Sequence, residues 1–433
     1  MTVCVIGAGS AGVAMCRGLA VRGIEFDCFE RGSGVGGMWL YRGDGRGTGA
    51  YASLCSNTSK GVMQFPSFPV PDDYPPYPHH RLVARYLDDY VDHHGFRDRI
   101  RFGTAVEHVA RAHGGGFDVR LAGGEARRYD AVAVASGGRN GEPVYAELPG
   151  EFGGRELHSF DYHGPDEFEG RRVLVLGLGA SSADIASELS RVAARTCLSV
   201  RTGHYVVPKF VQGHPIDELS PLMRRMSIEL RRPLLRLALR VVHGDPRAYG
   251  LPVPPYKPGQ GPLIAATELL PAIAHGRIGV KPVVDRVDVT RVRFADGSEE
   301  DFDAIVHCTG FRMSFPFLDP QLGIAGGDGP PLYHQVVHPE IGGLYFIGLL
   351  HSTMATLPCV EHQGDWVGDL LTGAVRLPPR ARMWTSIRRA RRRQDRRFHY
   401  TSGHLLVDPN EYERLIRRER RTHAAEPLHA AVR

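Results

Sequence analysis

Two units of strand, glycine-rich turn and helix, at residues 2–21 and 173–194, and a change of ribose-selecting residue between them, predict an α/β protein with two dinucleotide-binding, Rossmann-like domains. The 433 residues suffice for two sizeable cores, and 42% hydrophobic with 23% charged residues describes a globular, enzyme-sized chain. A net charge of +5, from 53 basic and 48 acidic residues, does not by itself call for nucleic acid or an acidic membrane. Seven cysteines are scattered without a CxxC pair, which argues against a disulfide framework, a zinc site or a dithiol redox centre and for a reducing, cytoplasmic setting. The apolar start of the chain carries glycines at fixed offsets and lacks a basic leader, so it reads as a strand entering a turn rather than a signal sequence. No apolar run reaches the ~18 residues of a spanning helix, so no integral membrane anchor is expected.

In the first unit, the strand pattern TVCVI runs straight into Gly7, Ala8, Gly9, Ser10, Ala11 and Gly12 and then a helix. Gly7 permits the tight turn, Gly9 lets the backbone approach a pyrophosphate, Gly12 allows helix and strand to pack closely, and the helix start offers unpaired N–H groups to the anion. Glu30 stands eighteen residues past Gly12, at the end of the next strand, EFDCF, where a carboxylate accepts hydrogen bonds from a ribose diol without a 2′-phosphate. A second glycine turn, Gly36 and Gly37 followed by Met38 and Trp39, is of the kind that runs beside the ribityl chain, so FAD is the expected occupant.

In the second unit, a strand at 173–176 leads to Gly177, Gly179, Ser181, Ser182, Ala183 and Asp184 and a helix. Ser182 replaces the third glycine, and its small hydroxyl side chain is suited to capping the helix. No acid follows the next strand; Arg201 stands there instead, nineteen residues past Ser182, and a guanidinium fits a 2′-phosphate at two points. NADPH is therefore expected here.

Between the units, Phe152, Gly154, His158 and Tyr162 fit the pattern FxGxxxHxxx(Y/F), and by it the chain resembles the flavin-containing monooxygenases, class B flavoprotein monooxygenases. Three further stretches are similar to the family: 53–69 (SLCSNTSKGVMQFPSFP), 308–311 (CTGF), and Glu361, Gln363 and Trp366 of its ExQARW element, although Gly364 and Asp365 stand where Ala and Arg are usual. The resemblance implies FAD contacts at residues 7–11, Glu30, Met38, Trp39, Asn57 and Thr58, NADP contacts at Ser56, Asn57, residues 181–184 and Arg201, and cofactor contacts at Glu361 and Gln363. Asn57, with its amide against the flavin and the retained NADP, is the expected catalytic residue; His158 is expected to be a hinge or linker residue.

The implied chemistry belongs to the cofactor: hydride passes from NADPH to FAD, reduced flavin captures O₂ as a C4a-hydroperoxide, and a soft nitrogen or sulfur nucleophile of a small molecule takes the distal oxygen. This accords with the lack of a catalytic triad, a metal site or a GxSxG turn along the chain. The competing readings are Baeyer–Villiger oxygenation of a ketone, whose related fingerprint ends in Trp where this chain has Tyr162, and a non-catalytic FAD/NADPH redox sensor.

The expected organisation is a discontinuous FAD-binding domain, 1–169 and 291–433, into which an NADPH-binding domain, 170–290, is inserted, with a basic helical insertion at about 215–262 capped by Ser220 and Pro221 and broken by Pro233. The run 387–397 (IRRARRRQDRR) lacks interleaved aromatics and reads as a solvated helix face rather than a nucleic-acid site, and the tail from Thr422 to Arg433 as disordered. Base rates favour a homodimer.

Overall fold

The computed structural model describes residues 1–41, 49–137, 141–218, 226, 228–324, 329–398 and 404–422. The expected cap at Ser220 and Pro221 and the tail beyond Thr422 lie outside them.

Two five-stranded, all-parallel sheets organise the chain. The first has the order Leu344–Phe346, Ala131–Val134, Thr2–Ile6, Glu25–Phe29, Ile100–Arg101. The second has the order Arg155–His158, Ala304–His307, Arg172–Leu176, Arg195–Ser199, Ile278–Lys281. Parallel strands covered on both faces read as continuous apolar runs, and AVAV and AIVH are buried at every position.

The two units are layered alike. Successive side chains of a strand point to opposite faces. Val3 and Val5 join a core with Val13 and Met15 of the helix Ser10–Ala20, while Cys4 and Ile6 join Val109, Phe117 and Val119. These last come from an antiparallel meander, Val106–Arg111, Phe117–Leu121 and Ala126–Tyr129. In the second unit Val173 and Val175 meet Ile185 and Ala186 of the helix Ala180–Leu189, and Leu174 and Leu176 meet Val287, Val292 and Phe294 of a second meander. Each glycine turn thus leaves the carboxyl end of a central strand held between two layers, where α/β folds place their ligands.

Strand membership differs from the boundaries expected at 169 and 291. Arg155–His158 and Ala304–His307, placed by sequence in the first domain, pair side by side in the second sheet, with His158 in register with His307. Boundaries drawn at the glycine motifs leave these strands in the first domain, whereas the second sheet completes itself with strands from both flanks. A second difference concerns Pro233: a helix Ile228–His243 runs through it without a break. It lies in the second turn, where a missing N–H removes a single intrahelical bond.

A further helix covers the first unit. Leu357–Leu371 crosses Ser10–Ala20 glycine to glycine: a Cβ on Gly18 would lie 2.5 Å from the Gly364 oxygen, and one on Gly364 would lie 2.5 Å from the Ala14 oxygen. No helix among the described residues is long and apolar enough to cross a membrane.

Candidate nucleotide and flavin site

The first turn is shaped by contacts only glycine permits. Gly7 has φ +101, and a Cβ there would lie 2.8 Å from the Ala135 oxygen; one on Gly12 would lie 1.8 Å from the Gly7 oxygen. The second glycine turn folds back onto the first, so that a Cβ on Gly37 would lie 2.9 Å from the Gly9 Cα. Gly36 N–H donates to the Ala8 carbonyl at 3.1 Å. Glu30 closes the arrangement, its two carboxylate oxygens accepting from the Ala8 N–H at 2.8 Å and the Gly32 N–H at 2.6 Å. A carboxylate oxygen has a second lone pair, so Glu30 keeps acceptor capacity for a ribose hydroxyl. The helix starting at Ser10 has no side-chain cap, which leaves its first N–H groups for an anion. Met38 is 47% exposed, and Trp39 packs between the cores of the two units.

The second turn repeats this plan. Gly177 N–H donates to Ser199 O at 2.9 Å, as Gly7 N–H does to Phe29 O at 2.8 Å. Gly177 has φ +105, and a Cβ would lie 2.7 Å from the Cys308 oxygen, whereas around Gly179 the space is open. Ser182 is fully buried and its Oγ accepts from the Gly179 N–H at 2.6 Å, so the third-glycine replacement acts as a helix-start cap, as its chemistry suggested. Ser181 and Arg201 are exposed beside this turn. Asp184 is bound elsewhere: it accepts from Tyr51 OH at 2.6 Å, and burial raises its pKa. It ties the second helix to the 51–59 segment.

Asn57 lies in that segment, and its surroundings are fixed from three directions. Ser56 N–H donates to Pro78 O at 2.8 Å and Thr58 N–H to Ser56 Oγ at 3.1 Å. Thr58 Oγ1 reaches Met354 O at 3.3 Å. From the second unit, Lys209 Nζ donates to Ser56 O at 3.2 Å, and Asp217 Oδ2 accepts from Ser59 N–H at 2.8 Å. Within this frame the Asn57 Oδ1 is buried and has no hydrogen-bond partner among the described residues. An unsatisfied buried acceptor costs roughly 1–3 kcal/mol, so a rigid loop that holds one is suited to a ligand that donates to it. The open glycine turns, the uncapped helix start, the acid at the first ribose position, the arginine at the second and this amide together fit FAD and NADPH.

Two further sequence-expected contacts are buried and hydrogen-bonded within the protein. Glu361 is 2% exposed and accepts from Tyr90 OH at 2.7 Å and Ser67 N–H at 3.0 Å. Gln363 is fully buried, accepting from Gly348 N–H at 2.8 Å and donating to Tyr412 OH at 2.8 Å. Both face the core because alternate sides of Leu357–Leu371 are covered by neighbouring elements; Gln363 instead fixes Gly348, whose Cβ position lies 2.8 Å from the Ala11 Cβ. His158 is buried, with Nδ1 accepting from Phe160 N–H at 3.1 Å and burial depressing its pKa.

Lys209, Asp217, Tyr51 and Gly348 escaped the sequence reading. Only Gly348 had a local signal, the strand-and-glycine run GGLYFIGLL; the others act through partners far away in the chain.

A family model described as FMO-like, flavin-binding monooxygenase-like, matches residues 1–412. The chain is 34% identical over 410 residues to dimethylaniline monooxygenase [N-oxide-forming] 2 of Rattus norvegicus, covering 89% of this chain and 76% of the relative. Among solved structures it is similar to S-allyl-L-cysteine S-oxygenase from Allium sativum, with TM-score 0.73 and 23% identity over 98% of this chain and 90% of that one. It is also similar in fold to cyclohexanone monooxygenase, with TM-score 0.72 and 18% identity over 96% and 97% of the two chains.

Proposed function

The chain belongs to the flavin-binding monooxygenase-like family, whose flavin-containing monooxygenases use FAD, NADPH and O₂ on small molecules, and from that premise we propose that it oxygenates a soft nitrogen or sulfur nucleophile. The observation that carries the proposal is the buried, partnerless Asn57 Oδ1 in a loop gripped by both units. The N-oxide-forming relative and the S-oxygenating structural neighbour set the substrate class to try first.

In this reading FAD, when bound, supplies the two-electron chemistry between NADPH and O₂. The protein binds, orients and excludes water. Gly7, Ala8, Gly9 and the N–H groups of Ser10, Ala11 and Gly12 hold the FAD pyrophosphate, Glu30 the adenosine ribose, and Gly37, Met38 and Trp39 the ribityl side. Gly177, Gly179, Ser181 and Ala183 frame the NADPH pyrophosphate, Ser182 shapes that turn through its cap, and Arg201 takes the 2′-phosphate. Asn57, with Ser56 and Thr58 beside it, places a fixed amide dipole where the reacting groups meet, which costs no reorganisation during turnover. A reducing, cytoplasmic location is part of the same reading, supported by seven cysteines of which none is paired.

The test is product analysis. Purified protein with NADPH is offered a tertiary amine, a thioether and a cyclic ketone. An N-oxide or sulfoxide supports the proposal, and a lactone as the main product replaces it with the Baeyer–Villiger reading.

A further inference from the structure

The helix Arg380–Arg397 carries nine arginines against one aspartate, so it alone holds more positive charge than the net +5 of the whole chain. It is seated by the buried Met383 and Ile387, and by Trp384 Nε1 donating to Glu340 at 2.7 Å. The acids nearby are already engaged. Glu411 takes both Nη groups of Arg397, at 2.5 and 2.6 Å, and lies 3.8 Å from Arg393; Asp395 pairs with His404 at 2.8 Å. Arg388, Arg389, Arg392 and Arg396 are exposed, and none has an acidic partner among the described residues. Arg388, Arg392 and Arg396 follow one another at four-residue spacing, so they stack along one face at roughly 6 Å per step.

Like charges at that spacing oppose helix formation. The helix dipole favours cations in the last turn, which accounts for Arg396 and Arg397 but not for Arg388, Arg389 and Arg392. These side chains line an open groove of about 670 Å³, together with Thr385 and with Arg232, which reaches across from Ile228–His243 and donates to the Arg397 carbonyl at 2.7 Å. The groove is thus walled by guanidinium groups from two helices and offers one neutral hydroxyl.

We propose that this groove binds a ligand bearing two or more closely spaced phosphates, at a site separate from both glycine turns. A phosphate brings up to two charges and three acceptor oxygens in one group, and guanidinium forks grip such groups at two points. Single carboxylates do not reach the charge density that four guanidinium groups within three turns call for. Nucleic acid is the less favoured partner, because among the described residues the face has no exposed aromatic on which bases would stack. Free polyphosphate and a phosphorylated lipid headgroup present the same chemistry.

The experiment is calorimetric titration of inorganic tripolyphosphate into the full-length, flavin-loaded protein at about 0.15 M salt, with saturating NADP⁺ so that the second glycine turn is filled. The expected result is saturable binding, weakened about tenfold or more in Arg388→Gln/Arg392→Gln/Arg396→Gln. A control that removes the same charge elsewhere, Arg120→Gln/Arg277→Gln/Arg286→Gln, is expected to bind as the unmodified protein does. Melting of the groove variant should not fall, since it relieves repulsion. A second arm uses phosphatidylcholine vesicles with and without a bisphosphorylated inositol lipid: binding to those vesicles but not to tripolyphosphate assigns a lipid headgroup, and binding to tripolyphosphate shows that the free anion suffices. Failure to bind either probe, equal loss in both triple variants, or displacement of tripolyphosphate by a single-stranded oligonucleotide at lower phosphate concentration overturns the proposal.

Discussion

Asn57 and Arg201 put the functional reading at stake at single positions. The Asn57 amide is aimed by its neighbours and its own oxygen is left for a ligand, so Asn57→Ala removes a dipole without disturbing the bonds that hold the loop. The expected outcome is NADPH oxidation with oxygenated product reduced by about 10²-fold or more, the scale for losing one preorganised donor or acceptor, and with H₂O₂ released instead. Simultaneous assay of NADPH, product and peroxide checks this. Arg201 is exposed beside the second turn, where NADPH and NADH differ only by the 2′-phosphate. Arg201→Gln should raise KM for NADPH about tenfold or more, leave KM for NADH nearly unchanged, and have little effect on melting; steady-state kinetics with both coenzymes decides it.

At the scale of elements, the crossing of Ser10–Ala20 with Leu357–Leu371 explains why this chain departs from its family at 364 and 365. Gly364 has backbone, not side chain, as its neighbour, and Asp365 accepts from Arg17 at 2.6 Å and Arg22 at 3.2 Å. The departures therefore belong to a helix contact and do not signal decay of the site. Gly364→Ala should cost about 1–3 kcal/mol through overpacking, and Asp365→Arg should also destabilise by setting three like charges together; thermal melting of the flavin-loaded protein measures both. What sequence made legible at this scale is what sequence encodes locally. The two glycine turns, Glu30 and the capping Ser182 each depend on neighbours within a few dozen residues. The internal partners of Glu361 and Gln363 were not legible, because Tyr90 and Tyr412 come to them through packing of distant segments.

At the scale of the whole molecule, the two-unit architecture was readable from paired motifs, while the division of strands was not. The pairing of Arg155–His158 with Ala304–His307 joins segments about 150 residues apart and has no local signature. The same long-range closure brings Lys209 and Asp217 to the Asn57 loop, so the site is a property of both units docked together. Burial also gives the fold a common acid sensitivity. His80, His94, His158, His204, His307, His338 and His362 all have pKa values lowered, chiefly by burial, with His94 down to about 4. The unfolded chain therefore takes up protons that the folded one refuses, and stability should fall as pH drops below the ordinary histidine value of 6.5, with the His94 share fully lost only below about 4. Melting temperature followed from pH 7.5 to 4 should decline steadily, and His94→Gln should flatten that decline.

The central claim is that the docked units deliver an oxygen atom from O₂ to a soft nucleophile under the control of Asn57. It is tested most directly by supplying ¹⁸O₂ and NADPH with a thioether and a tertiary amine, and measuring labelled product per NADPH for the unmodified protein and Asn57→Ala. The account predicts one ¹⁸O in the product and near-equal NADPH consumption for the unmodified protein, with label largely lost and NADPH still consumed in the variant. Unlabelled product, or an Asn57→Ala protein that couples as well as the original, would contradict it.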